Sequence, residues 1–291
     1  MTSKAMIEVL SPAGGRESLS AAVGAGANAV YLGLGAFSAR GTAENFTEDT
    51  LAEAVGFAHK KSVKVYLTLN TLLFDRELPR AKELLATAKN VGVDAVIVQD
   101  LAAASIAKDT GLSLHGSTQM SVSTAEGADV LRRLGFTRVV LARELSLREI
   151  AALNKKCEIE TEVFVHGALC VSVSGQCLIS AFLGGRSANR GFCAGTCRLD
   201  RECGGNKFAL SLKDLSILDS IPSLERVGVA SVKIEGRLKS PQYVAAATKA
   251  CKLAACGKPY DKAHLAKVFS RGGFTDGYLT GEMNDMLGTR I

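Results

Sequence analysis

"RELPRAKELLATAKNVGVDAVIVQD", residues 76–100, contains the unit from which the fold is read. Its first part spaces apolar residues three and four apart, as a helix with one buried face requires. Gly92 closes that helix, and three residues later the apolar run "AVIVQD" (95–100) begins as a strand. The same punctuation recurs at Gly26 in "GANAV", Gly135 in "GFTRV" and Gly228 in "GVASV". Glycine suits the left-handed residue after a helix C-terminus, and the valine opens a strand buried on both faces.

Working outward, strand patterns fall at 7–12, 29–34, 64–70, 95–100, 112–118, 138–143, 161–167 and 231–237, with helical patterns such as "TLAEAVGFAHKK" between them. Eight strand–helix units in a chain of this length predict an α/β fold, a (β/α)8 TIM-barrel-like architecture. An open doubly wound sheet is the competitor, but no G-x-G-x-x-G follows a strand. The expected organisation is a barrel domain over 1–240 and a C-terminal helical extension over 241–291, from which further domains could continue. Chemistry in a barrel sits where the strands end. Those ends carry Gly14, Asn70, Asp100, Ser117, Gln119, Arg143, Glu144, His166, Glu235 and Arg237. The alternative for each is a helix cap or a loop-lining residue.

The interval between the seventh and eighth strands is about 70 residues, far longer than the others. Its surplus, about 168–212, is a cysteine-rich insertion on the mouth side, with Cys170, Cys177, Cys193 and Cys197 spaced C-x6-C-x15-C-x3-C and Cys203 beyond. A glycine- and arginine-rich loop such as "FLGGRSANRGFCAGTCR" cannot build its own apolar core, and metal bonds would order it. Structural zinc prefers paired C-x2-4-C knuckles, which only Cys193 and Cys197 approach. An iron–sulfur cluster accepts four thiolates at irregular spacing, so a 4Fe–4S cluster on these four is the first expectation. Zinc, and free thiols or a disulfide, remain alternatives. Cys157 falls at the opposite rim, and Cys251 and Cys256 sit in a late helix where cysteine behaves as a small hydrophobe.

At 47% hydrophobic and 22% charged, the chain can bury a large core and is not expected to be disordered. No apolar run approaches a membrane span, and the N-terminus enters a strand pattern without a signal-peptide stretch, so a cytoplasmic protein is expected. A reducing compartment favours metal or redox roles for clustered cysteines. The net charge of +6 is compatible with an anionic partner without arguing for one.

The cysteine stretch "EVFVHGALCVSVSGQCLIS" (162–180) resembles the signature of peptidase family U32, E-x-F-x-x-G-A-L-C-x4-G-x-C-x-I-S, through Glu162, Phe164, Gly167, Ala168, Leu169, Cys170, Gly175, Cys177, Ile179 and Ser180. "FSARGTAENFT", "STQMSV", "GGRSANRG", "SVKIEGR" and "FSRGGFTDGYL" extend the resemblance over essentially the whole chain. It implies a barrel-like catalytic domain and two competing functions. One is a collagenase-like peptidase activity without an assigned mechanism. The other is oxygen-independent hydroxylation by iron–sulfur proteins acting on a tRNA uridine, a ribosomal RNA cytidine or a quinone precursor, with prephenate implicated as a small carboxylated donor for the RNA-acting members. It also implies a protein partner or oligomer in some members.

No G-x-S-x-G or H-E-x-x-H is present, and a Cys170–His166 pair would leave three cysteines unexplained. A hydroxylase explains all four. Its catalytic candidates are His166, Glu235, Arg237, Lys213 and Gln119. Arg40, Asn70, Arg143, Arg186 and Arg190 are the substrate-binding candidates, because guanidinium matches carboxylate and phosphate. The loop 184–198 has three arginines and no acid, as an RNA-facing loop would, although aromatics are only 5% and tryptophan is absent. A non-catalytic scaffold carrying a cluster is the third reading.

Overall fold

The computed structural model describes residues 6–41, 43–173, 176–205 and 207–287. Strands β1 (Glu8–Pro12), β2 (Ala29–Gly33), β3 (Lys64–Leu69), β4 (Ala95–Val98), β5 (Ser113–Gly116), β6 (Arg138–Val140) and β7 (Glu160–Gly167) pair in parallel, each with the next. A short β8 (Asp214–Ser216) lies outside this ring, and β9 (Ser231–Ile234) pairs in parallel with both β7 and β1, closing an eight-stranded barrel. Helices α1 (Arg16–Gly24), α2 (Glu48–His59), α3 (Leu78–Asn90), α4 (Leu101–Asp109), α5 (Ala125–Leu134) and α6 (Leu147–Asn154) form the outer layer. The eight strands are those expected from the apolar runs.

Local chemistry explains why the alternation is regular. Thr47 and Ser146 cap α2 and α6 with capping boxes, and the Asp100 carboxylate accepts from the Ala102 and Ala103 amides to start α4. The four glycines of the repeat, Gly26, Gly92, Gly135 and Gly228, all have φ between +86° and +100°, where a side chain would be strained. Outward strand residues such as Val9, Val30, Leu32 and Val96 pack under the helices, while Leu10, Tyr31, Tyr66 and Ile97 form a separate group inside the barrel.

The N-terminal half of the interior is ionic. Lys233 donates to Glu162 at 2.8 Å, and Arg138 bonds Glu8, Glu160 and Glu162. Tyr66 and Ser231 donate to Glu8 at 2.8 and 3.1 Å. Glu162 is 0% exposed, so every charge near it must be balanced inside the barrel.

After β7 the chain leaves the ring through α7 (Ile179–Gly184) and returns as β8, which pairs antiparallel with the end of β7 at His166↔Ser216 and Gly167↔Leu215. The short α8 (Ile221–Arg226) then leads to β9. Helix α9 (Pro241–Ala255) packs on α1 and β1 and takes the place of the eighth barrel helix. The packed unit therefore runs past 240, where the sequence had placed an extension. Beyond it, α10 (Lys262–Val268), β10 (Phe274–Thr275) and α11 (Gly277–Thr280) follow, with β10 beside β8 and Leu265, Leu279 and Met286 in the common core. Cys251 is buried in α9, where burial pushes its thiol up to about 12, the behaviour of a core residue.

Candidate active site

The C-terminal strand ends form a rim of polar side chains. Arg237, just past β9, is 4% exposed and donates through Nη1 to Ser38 Oγ (2.6 Å) and Thr68 Oγ1 (2.9 Å), and through Nη2 to Asn45 Oδ1. It thereby fastens the β2–α2 loop over the barrel. Burial pushes its pKa down to about 10, against the favourable influence of Glu235. Gly33 lies directly beneath, and a Cβ there would fall 2.3 Å from Arg237 Nη2. On the fastened loop, Arg40 Nη2 donates to Glu235 Oε1 at 3.0 Å. Burial opposes the Arg40 charge, but the Glu235 carboxylate outweighs it and raises the pKa. Tyr31 and Tyr243 hold the backbone of this turn by donating to the Ile234 and Glu235 carbonyls at 2.8 and 2.7 Å.

Across the mouth, Asn70 accepts from the Ala39 amide at 3.1 Å and donates to Ser117 Oγ at 3.5 Å. Gln119 is buried, with its Oε1 unpartnered among the described residues. His166 is 0% exposed, stacks on Tyr243 and shares a 3.2 Å hydrogen bond between Nδ1 and Ser216 Oγ. Burial pushes its pKa down to about 4, so the ring is neutral at pH 7; its Nε2 has no partner among the described residues. Arg237 Nε and Thr71 Oγ1 are likewise buried without partners. Four such atoms at one rim are what a ligand-binding mouth presents before its ligand arrives.

The insertion docks onto this rim. Asn189 donates to Gln99 Oε1 at 2.8 Å and accepts from the Leu72 amide at 3.1 Å. Gln176, next to Cys177, donates to the Gln119 carbonyl at 3.4 Å. Gly191, at φ +88°, presses so closely on the β2–α2 loop that a Cβ would fall 2.4 Å from the Gly41 nitrogen.

Two ties organise the cysteines. Arg198, beside Cys197, donates to the Leu169 carbonyl, beside Cys170, at 2.8 Å. The Ala194 amide, beside Cys193, donates to Ser180 Oγ, three residues past Cys177, at 3.1 Å. Cys197 lies close enough to Cys170 and Cys193 that both raise its pKa, after burial as the main cause and against the lowering effect of Arg198. Cys170, Cys177 and Cys197 are half-buried, Cys193 is exposed, and all four are free thiols. Among the described residues, no three His, Cys, Asp or Glu side chains converge as ligands of a single metal ion. Four thiols are the donor set of an iron–sulfur cluster or of a thiolate-bound zinc ion.

The remaining candidates are placed as follows. Arg190 bonds Glu77 and the Leu72 carbonyl, anchoring the insertion. Arg186 is exposed, and among the described residues only its Nε is bonded, to the Phe192 carbonyl at 3.2 Å. Arg143 lies over the Phe164 ring, 4.6 Å from its centroid. Lys213 pairs with Asp285 of the C-terminal segment. Asp100 is a helix cap that also accepts from the Leu73 amide. The sequence reading missed Gln99, Asn189, Gln176, Thr71, Ser38, Asn45 and Tyr31. Only the position of Gln99 at a strand end gave a signal for any of them.

A profile for Peptidase family U32 matches residues 14–287. The chain is 44% identical over 246 residues to the Escherichia coli 23S rRNA 5-hydroxycytidine C2501 synthase, covering 82% of this chain and 37% of that protein. It is 35% identical over 307 residues to a collagenase of Porphyromonas gingivalis, covering 94% of this chain and 74% of the other. The solved structure of the U32 peptidase Mk0906 superposes with a TM-score of 0.54 at 16% identity, over 81% of this chain and 96% of that one, a likeness of fold.

Proposed function

Because the chain belongs to peptidase family U32, we propose that it is the catalytic core of an iron–sulfur enzyme that hydroxylates a pyrimidine of tRNA or ribosomal RNA without molecular oxygen. The observation that carries this reading is the pair of hydrogen bonds, Arg198 to the Leu169 carbonyl and the Ala194 amide to Ser180 Oγ, that hold together the segments bearing the four cysteines. Those thiolates would hold a 4Fe–4S cluster, which supplies electron-transfer capacity when bound. Replacing C–H by C–OH is a two-electron oxidation of the base. In this reading a small carboxylated molecule of the prephenate kind is both hydroxyl donor and oxidant: its C–O bond breaks, the hydroxyl passes to the base carbon, and the two electrons and proton of the base C–H pass to the donor carbon. Arg40 orients its carboxylate with Glu235 as the counter-charge, and neutral His166 offers Nε2 to a hydroxyl. Gln119 Oε1 accepts a donor from the base or the small molecule. The chain spans just over a third of the ribosomal RNA enzyme it resembles, so other segments of a longer protein, or a partner subunit, can contribute to RNA capture.

The collagenase relative keeps a peptidase as the second reading, and one contact invites it: Ser216 Oγ lies on His166 Nδ1, with Asp214 two residues away. The geometry does not favour a triad. Asp214 is taken by Arg271, which donates from its amide and its Nε at 2.8 Å each. Ser216 Oγ also sits on His166 Nδ1, the nitrogen that faces the acid in a triad, whereas the nucleophile belongs on Nε2.

The test is nucleoside mass spectrometry of RNA from a strain lacking the gene. A hydroxylated pyrimidine should disappear, return with the wild-type gene and stay absent with Cys193→Ser. Anaerobically purified protein should carry about four irons per chain, lost in Cys193→Ser and retained in Cys251→Ser. Unchanged RNA, together with gelatin cleavage by iron-free protein, would overturn the proposal in favour of the peptidase.

A further inference from the structure

Phe182 is 85% exposed, the most exposed large apolar side chain among the described residues. It stands on α7, whose orientation is set by Ser180: that side chain is 1% exposed and accepts from the Ala194 amide. With Ser180 buried, Phe182 and its neighbour Leu183 are exposed to solvent, and Leu178 just before the helix is exposed as well. An apolar surface of this kind has a cost in water, and a use is expected of it.

The charge around it narrows that use. Residues 178–199 contain Arg186, Arg190 and Arg198 and no acid. Arg190 and Arg198 are occupied in anchoring the loop. Arg186, four residues after Phe182 and just past the end of α7, bonds only through Nε among the described residues, which leaves its terminal nitrogens for an anion. An exposed aromatic ring and, four residues on, an exposed guanidinium in a segment without acids fit a partner that offers flat rings and phosphates together. A duplex hides its base faces by stacking, so the fit is to an unpaired strand.

We propose that the outer face of the cysteine insertion is a base-stacking platform for single-stranded RNA, with Phe182 receiving the face of an unpaired base and Arg186 the adjoining phosphate. The proposal rests on the RNA reading above and adds to it where the strand lies and in what form it is bound. The insertion then has two faces with separate tasks: thiols toward the mouth, and a stacking surface that delivers a neighbouring nucleotide to it.

The chain has no tryptophan, so Phe182→Trp introduces a single fluorescent reporter at the platform. Its emission should be quenched on titration with oligouridylate and unaffected by duplex RNA of equal length. Phe182→Ala should bind oligouridylate roughly tenfold more weakly than wild type, while Phe182→Trp keeps wild-type affinity. Arg186→Gln should lower the salt dependence by about one phosphate contact. Equal affinity of Phe182→Ala and wild type would overturn the platform. So would quenching that follows protein concentration without RNA, with sedimentation showing a dimer that Phe182→Ala abolishes. The two readings fail separately. If Phe182→Ala restores the RNA mark fully and binds oligouridylate normally, the platform alone is lost. If stacking is seen but no RNA mark depends on the gene, the hydroxylase alone is lost.

Discussion

At the N-terminal end of the barrel, Arg138 reaches Glu8, Glu160 and Glu162, and Lys233 completes the set on Glu162. At the C-terminal end, Arg237 is as deeply buried but leaves its Nε without a partner, as do Gln119 Oε1, His166 Nε2 and Thr71 Oγ1. Both ends bury charge. One end satisfies it from within the chain, and the other leaves acceptors and donors for something that arrives later. His115 is the exception at the first end: its Nδ1 is unpartnered, with the ring edge-on to Tyr66, 4.7 Å between centroids. Closed networks of this kind fix a structure, whereas unsatisfied buried groups mark where stability is given up for function.

The largest expected effect lies at the closed end. Glu162→Leu removes the carboxylate between Lys233 and Arg138 and leaves buried charge uncompensated. It should lower the unfolding free energy by about 3–5 kcal/mol, read by urea denaturation. Adding Lys233→Met should recover most of that loss, because an apolar pair replaces an ionic one. A loss below about 1 kcal/mol would erase the distinction between the ends, since that is what a solvated surface pair contributes.

Acid should act next in size. His166 titrates at about 4 in the folded protein and near 6.5 when unfolded, so the unfolded chain binds the extra proton between those values. The stability from a neutral His166 is fully present above about pH 6.5 and is lost as pH falls toward 4, worth roughly 3 kcal/mol at most. Buried His115 is shifted in the same direction and steepens the same window. Denaturation measured from pH 7 to 4 should show His166→Gln with a shallower slope than wild type. An unchanged slope would mean that His166 is solvated and the rim more open than its packing against Tyr243 and Phe274 implies.

What the sequence disclosed divides along physical lines. The eight barrel strands were legible because parallel strands buried on both faces are continuous apolar runs, and glycines mark the turn before four of them. β8 and β10 were not, since three and two residues give no periodicity to read. Helix α9 has an ordinary amphipathic pattern, and nothing local shows that it closes the barrel against α1, more than two hundred residues earlier. The four cysteines were legible as a group from their spacing within one long insertion. The occupation of Arg190 by Glu77 was invisible, because the partners are 113 residues apart and each looks like any surface charge. Arg237 was picked out as a catalytic candidate, yet most of its donors fasten the β2–α2 loop. A strand-end arginine looks the same in sequence whether its partner is a substrate or a serine.

The smallest effect on stability belongs to Arg40→Gln, and it is the sharpest test of the open end. The Arg40–Glu235 pair is 35% and 12% exposed, so water screens it, and its loss should cost no more than about 1 kcal/mol. For a domain of this size that is a shift of only about 2–4 °C in Tm. If the rim exists to hold an anionic ligand, the same change should abolish or strongly reduce restoration of the hydroxylated pyrimidine, while iron content stays at the wild-type level because arginine is not a ligand. Arg40→Lys keeps the charge but loses the fork that grips a carboxylate in two places, so it should restore only part of the activity. A structural arginine would behave in the opposite way: Gln would destabilise by several kcal/mol, and Lys would rescue stability and activity together. Small loss of stability with large loss of function would place Arg40 with the unsatisfied groups of the mouth. Large losses of both would place it with Arg138, and the two ends of the barrel would then differ only in degree.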